Sequence, residues 1–122
     1  KRDFSIVSYV KYLTEDKCVC CCDDYNIKDR THIEAKTGRY HFEIHHMISL
    51  GKNKELDNVD NLAKLCPACH ASLSRGSANE NVQKELIRKI FKHKNNILTF
   101  CESYFDEKDF ETVVDLVWKS LK

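Results

Sequence analysis

Residues 40–73 read YHFEIHHMISLGKNKELDNVDNLAKLCPACHASL, and the order of residue types in this stretch decides how the chain folds. Upstream and into it, Thr31 to Ile44 reads as two short strands around Thr37-Gly38, a dipeptide suited to a hairpin turn. Met47 to Asn58 is polar, contains Gly51 and lacks any hydrophobic period, so it reads as a loop. Asn61 to Cys66 alternates apolar and polar residues briefly, as a strand does. Pro67 suits the first turn of a helix running through roughly Ser74, because its fixed φ and missing N–H cost nothing there. A small hairpin faced by a short helix is therefore the expected centre of the molecule.

The flanks read as helices. From about Asp3 to Asp16, Phe4, Ile6, Val7, Val10 and Leu13 fall mostly on one helical face. Asn79 suits the cap of a longer helix through about Lys94, with Val82, Leu86, Ile87, Ile90 and Phe91 as its buried stripe. Asn96 to Tyr104 continues or restarts that helix. Asp109 to Leu121 gives a last one, its Phe110, Val113, Val114, Val117, Trp118 and Leu121 following i, i+3, i+4 spacing. The expected fold class is α+β: a hairpin-and-helix core padded by helices at both ends. Residues 1–122 are expected to be one domain, with a core over about 17–76 and a helical extension over about 79–122. A first residue of Lys1 rather than methionine suggests a domain excised from a larger protein.

Composition limits the functional classes. With 42% hydrophobic and 32% charged residues, the chain reads as soluble and globular, neither disordered nor membranous. No stretch approaches the ~20 apolar residues of a membrane span, and no start resembling a signal peptide is present. A net charge of +1 does not by itself announce a nucleic-acid binder. The positive residues are nevertheless clustered at Lys84, Arg88, Lys89, Lys92, His93 and Lys94, as either a solvated helix face or a phosphate-contacting one.

Seven cysteines in so small a chain need a purpose. Cys18, Cys20, Cys21 and Cys22 are too closely packed in sequence for all to pair with distant partners as disulfides. Cys18-x-x-Cys21 and Cys66-x-x-Cys69 instead have the spacing of two zinc knuckles in a reducing, intracellular compartment, taken as a bacterial-type cytoplasm. Cys20 and Cys22 compete for the first knuckle, but Cys18/Cys21 is the pair there with the two-residue spacing. A closed set of Cys18, Cys21, Cys66 and Cys69 leaves no open position, so this zinc is structural and its binding contributes to folding. Cys101 reads as a buried helix residue.

Glu43-x-His45-His46 is followed after fourteen residues by Asn61 and after eight more by His70, one position past Cys69. Two adjacent histidines at a strand end point to opposite faces. One imidazole can bind a metal while its neighbour faces an attacking water, and histidine suits a general base because its ordinary pKa is ~6.5. Hydrolysis of a phosphodiester requires both services.

This pattern resembles the HNH family of ββα-metal nucleases, and its Glu-x-His-His form resembles the McrA-like restriction branch. The resemblance covers about a third of the chain directly. It implies His45 and His70 as ligands of a catalytic divalent ion, His46 as general base, and Asn61 as the residue whose side-chain carbonyl orients the base ring; the Asn61 amide can also restrain the loop between the strands. Many family members carry a further histidine four residues past the position of His70, where this chain has Ser74. Glu43 shares a strand face with His45 and either ligates or stays outside the ion's shell. With few imidazoles and more oxygen donors, Mg²⁺ or Mn²⁺ is favoured over Zn²⁺ at this position. Lys52, Lys54 and Arg75 flank the site as candidate phosphate contacts, a solvated loop being the plainer reading. His32, His41 and His93 lack such context and read as surface or packing residues, and Trp118 and the aromatics near it read as core.

The implied function is a metal-dependent endonuclease acting on double-stranded DNA in a restriction system. Target recognition would reside in a separate domain, and a homodimer would cut both strands. The competing reading is a non-catalytic zinc-finger module that binds DNA or a protein. It would need the cysteines but has no use for His46, Asn61 and His70 at these spacings.

Overall fold

The structure is a computed structural model that describes residues 4–49, 51 and 53–122, leaving aside the side chain of Phe4. Helix α1 (Phe4–Leu13) leads into the cysteine-rich turn, and strands β1 (Glu43–His46) and β2 (Leu62–Leu65) form a two-stranded antiparallel sheet. Helix α2 (Pro67–Ser72) follows directly, and α3 (Glu80–His93), α4 (Asn95–Phe105) and α5 (Phe110–Lys119) complete the chain. This is the expected α+β arrangement of a small sheet with flanking helices. Among the described residues no helix is long and apolar enough to cross a membrane.

The sheet register pairs Glu43 with Leu65, Ile44 with Lys64, His45 with Ala63 and His46 with Leu62. Every residue of β2 is buried, so this strand is the floor on which the rest is laid. Lys64 sits there with 3% of its surface exposed; its ammonium reaches Asp16 at 2.9 Å and the Thr14 carbonyl at 3.2 Å. The core runs from the cysteine turn and Phe42, through Met47, Leu65 and Leu73, to Ile87, Ile90, Ile97, Val113, Val114 and Val117 of the three long helices.

Two expectations change in detail. The Thr37-Gly38 turn forms, with Gly38 at φ 69°, but only Ile33 and Tyr40 bridge across it, and the first true strand starts at Glu43. Residues 31–38 offer no buried face, and an isolated two-stranded ladder without one is not stable in water. In α3, capped by Asn79 as expected, Val82 is exposed and Gln83 is buried in its place. The Gln83 amide donates to the Ser72 and Ser74 carbonyls and its oxygen accepts the Trp118 indole N–H at 2.9 Å, so a polar residue ties α2 to α5. Helix α4 restarts rather than continues α3, because Lys94 leaves helical geometry at φ −132°, ψ 80°.

Candidate active site and metal centre

Cys18 and Cys21 lie in the turn after α1, Cys66 precedes α2 as its N-cap, and Cys69 sits in the first turn of α2. All four are buried and their sulfurs lie within 4.8 Å of one another, with Cys21 and Cys66 3.8 Å apart. The Val19 N–H donates to the Lys64 carbonyl at 3.0 Å, stapling the first knuckle to β2 beside the second. Burial, and then the charge of neighbouring Cys18, push the Cys21 thiol up to about 11. Thiols so placed cannot ionise together without a cation, which is the donor chemistry a structural zinc requires. The Arg30 guanidinium lies 3.9 Å from the Cys69 sulfur and stacks 4.3 Å over Tyr25, adding positive charge beside the thiol cluster. Cys20 is fully buried with its sulfur 3.7 Å from the Leu86 carbonyl, and Cys22 groups instead with Asp23 and His93, so neither belongs to the tetrad. Cys101 is buried in α4, as expected.

The pleat of β1 sends Glu43 and His45 to the same side, where α2 presents His70. The His45 and His70 ring centroids are 5.6 Å apart at an interplanar angle of 69°. His45 Nε2 is buried and without a hydrogen-bond partner. Burial first, then the charges of His70 and His46, push its pKa down to about 3. It is therefore neutral at physiological pH, the form in which imidazole ligates a metal. His70 Nδ1 lies 2.7 Å from Glu43 Oε1, leaving Nε2 as the ring nitrogen available to an ion. The hydrogen bond from His70 holds the Glu43 carboxyl below its ordinary range. Glu43 Oε2 meets His41 Nε2 at 3.3 Å, and His41 Nδ1 meets Glu34 Oε2 at 2.8 Å. Both oxygens of Glu43 are thus engaged by histidines, which places it as the partner of His70. His45 thus carries a buried nitrogen without a partner, next to a second imidazole whose other nitrogen is engaged from behind by Glu43.

His46 occupies the opposite side of β1. Its Nε2 lies 3.2 Å from Asp57 Oδ1, and both side chains are 8% exposed. Asn61 is completely buried, but it does not contact the base ring as the resemblance implies. Its carbonyl accepts the Ile48 N–H at 2.9 Å, and its amide donates to the Ile48 and Leu56 carbonyls at 3.0 and 2.8 Å. Those three bonds clamp the loop between the strands, and Asp57 takes the place beside His46.

The candidate phosphate contacts differ in their surroundings. Lys54 is exposed at the start of a short 3-10 turn, and Lys52 lies outside the described residues. Arg75 instead donates Nε to the Leu121 carbonyl at 2.7 Å and Nη2 to the Lys119 carbonyl at 2.8 Å, so its guanidinium caps the end of α5. The basic run of α3 is matched by acids: Lys84 with Glu80 and Asp115, Arg88 with Glu85 and Glu111, Lys89 with Asp24, and Lys92 and His93 with Asp23. It reads as a charge-paired helix face.

Asp57 and His41, which contact candidate site residues, and Glu34, which contacts His41, carry no motif in the sequence. Asp57 lies in an aperiodic loop, and no local signal marks it. The alternation Glu34…His41…Glu43 is visible once a turn at Gly38 is assumed, because that turn folds residues 34 and 41 together. No curated protein and no solved structure matches the chain. Residues 18–76, which run from the first knuckle cysteine past the helix that carries His70, match the family model of the HNH endonuclease.

Proposed function

We propose that this chain hydrolyses phosphodiester bonds of double-stranded DNA, using a divalent ion held by His45 and His70, and that it is the cleavage module of a restriction enzyme acting on foreign or modified DNA. The observation that carries the reading is the buried, unpartnered Nε2 of a neutral His45, whose ring centroid lies 5.6 Å from that of His70. The HNH match over residues 18–76 supports it. The Glu-x-His-His form supports an McrA-like restriction role, and the two Cys-x-x-Cys pairs support a reducing intracellular compartment.

When bound, the ion supplies Lewis-acid stabilisation of the phosphoryl and leaving oxygens; Mg²⁺ or Mn²⁺ suits a site with two imidazoles and otherwise oxygen donors. Glu43 fixes the ring of His70, and His41 and Glu34 hold Glu43 in turn. His46 accepts the proton of the attacking water at Nδ1, while Asp57 receives the Nε2–H and stabilises the imidazolium that results. Asn61 keeps the loop between the strands, and with it Asp57, in place. Products with 5′-phosphate and 3′-hydroxyl ends follow from the family resemblance. The acid-matched helix face supports target recognition by a separate domain, and scission of both strands by a homodimer is part of the same proposal.

The test is nicking of supercoiled plasmid by the purified chain with Mg²⁺, Mn²⁺ or EDTA, beside His45→Ala and His46→Ala. Metal-dependent nicking lost in both variants is expected. Nicking by His46→Ala at the wild-type rate would remove His46 as base. Absence of nicking under every metal condition would favour a non-catalytic zinc module.

A further inference from the structure

The cysteine-rich turn presents a second set of donors that the thiol tetrad does not use. Cys22 and Asp23 follow Cys21, whose carbonyl accepts the N–H of Asp24 at 2.9 Å and of Tyr25 at 3.1 Å. That tight turn carries Cys22 and Asp23 towards the C-terminal end of α3, where His93 is the last helical residue. The Cys22 sulfur, an Asp23 carboxylate oxygen and a His93 ring nitrogen all lie within 4.8 Å of one another. His93 Nε2 is 3.0 Å from Asp23 Oδ2, and its side chain is 16% exposed. We propose that Cys22, Asp23 and His93 form a second binding site for a first-row divalent cation, Zn²⁺ in the cell.

The donor chemistry fits. Thiolate, imidazole and carboxylate are the three ligand types zinc takes, at metal–donor lengths of about 2.0–2.3 Å, which places donor atoms roughly 3.3–3.8 Å apart in a tetrahedron. The observed donors lie within 4.8 Å of one another, so they have at most about an ångström to close to reach that spacing. Two anionic donors neutralise the ion. The C-terminal carbonyls of α3 favour positive charge at this place. The competing occupant of Asp23 is Lys92, whose ammonium sits 3.6 Å from the same oxygen on a side chain 73% exposed, so it can swing away at little cost. The Asp23 side chain is 57% exposed, which leaves the fourth position open to water. An ion here would clip the cysteine turn to the end of α3, reinforcing the Lys89–Asp24 contact of 2.8 Å one turn away. It shares no residue with the tetrad or with the His45/His70 pair.

The test uses the whole reduced chain carrying one equivalent of zinc, titrated anaerobically with Co²⁺ and followed by absorption. One further equivalent of cobalt is expected to give tetrahedral d–d bands and a thiolate-to-cobalt charge-transfer band of single-thiolate strength. The His45/His70 site contributes no sulfur, so His70→Ala should leave that band unchanged. Cys22→Ser should abolish it, and His93→Gln should weaken cobalt binding at least about tenfold. A second equivalent of zinc should raise the melting temperature of the wild type and not of His93→Gln. Absence of the band overturns the site, as does a band that persists in Cys22→Ser, since cobalt would then have entered the tetrad. Binding undiminished in His93→Gln also overturns it, and that variant decides the matter alone if Cys22→Ser fails to fold.

Discussion

Glu43 Oε1 lies 2.7 Å from His70 Nδ1, so a carboxylate on β1 engages one ring nitrogen of an imidazole on α2 and leaves Nε2 for the ion proposed there. Partners of this kind typically govern metal affinity through the ligand they orient. Glu43→Gln keeps the size of the side chain and removes its charge. It should weaken the divalent-ion dependence of nicking roughly 10–100-fold while leaving the thermal transition nearly unchanged. A metal titration of plasmid cleavage measures this, and an unchanged midpoint would show that Glu43 does not serve His70.

Asn61 and Asp57 should separate stability from chemistry. Asn61→Ala strands one N–H and two carbonyls in a fully buried place, which should cost about 2–4 kcal/mol in urea unfolding. Asp57→Asn should lower the nicking rate roughly 10–100-fold by loosening the base, at a smaller cost in stability. The reverse ranking would return Asn61 to the base-orienting role that the family resemblance implies.

Zinc removal should unfold the core rather than merely silence it. The tetrad joins the turn before β1 to the helix after β2, and a structural zinc of this type is worth on the order of 10 kcal/mol of folding free energy. A strong chelator, or Cys66→Ser, should abolish the cooperative melt seen by circular dichroism. Cys101→Ser, buried in α4 away from the tetrad, should retain tetrad zinc by elemental analysis. A folded chain with its full melt after zinc loss would refute the structural assignment.

Acid should loosen the C-terminal helices by a predictable sign. The Arg88 hydrogen bond holds the Glu111 carboxyl below its ordinary value, and Lys119 and then Lys84 do the same for Asp115. A carboxyl whose folded pKa is depressed stabilises fully above its unfolded value, near ~4, and loses that contribution as pH falls through the folded one. The Glu111→Gln, Asp115→Asn double variant should therefore melt below the wild type at pH 7, with the gap narrowing as pH falls below the unfolded values near ~4. Melting curves at constant ionic strength test this, and comparison with the wild type cancels the acid release of zinc that both share. A gap that widens in acid would contradict the pairing.

The sequence by itself determined the parts whose chemistry is local. Two Cys-x-x-Cys spacings defined the thiol tetrad, because a tetrahedral ion accepts few arrangements of thiolates. Asn79 and Asp109 marked helix starts because their side chains accept helix-terminal N–H groups, from Val82 and Thr112 respectively. Asn61 to Cys66 read as a strand and formed one over Leu62–Leu65. What the tertiary structure alone decided was who faces whom. Asp57 reaches His46 across a loop with no period, and Asn61 turns to the backbone, where its amide satisfies three peptide groups of that loop. Arg75 caps α5 instead of facing outward, since the end of that helix arrives beside it from 44 to 46 residues away in sequence. Local spacing fixes a ligand set; the partner that orients each ligand depends on packing between segments that carry no record of one another.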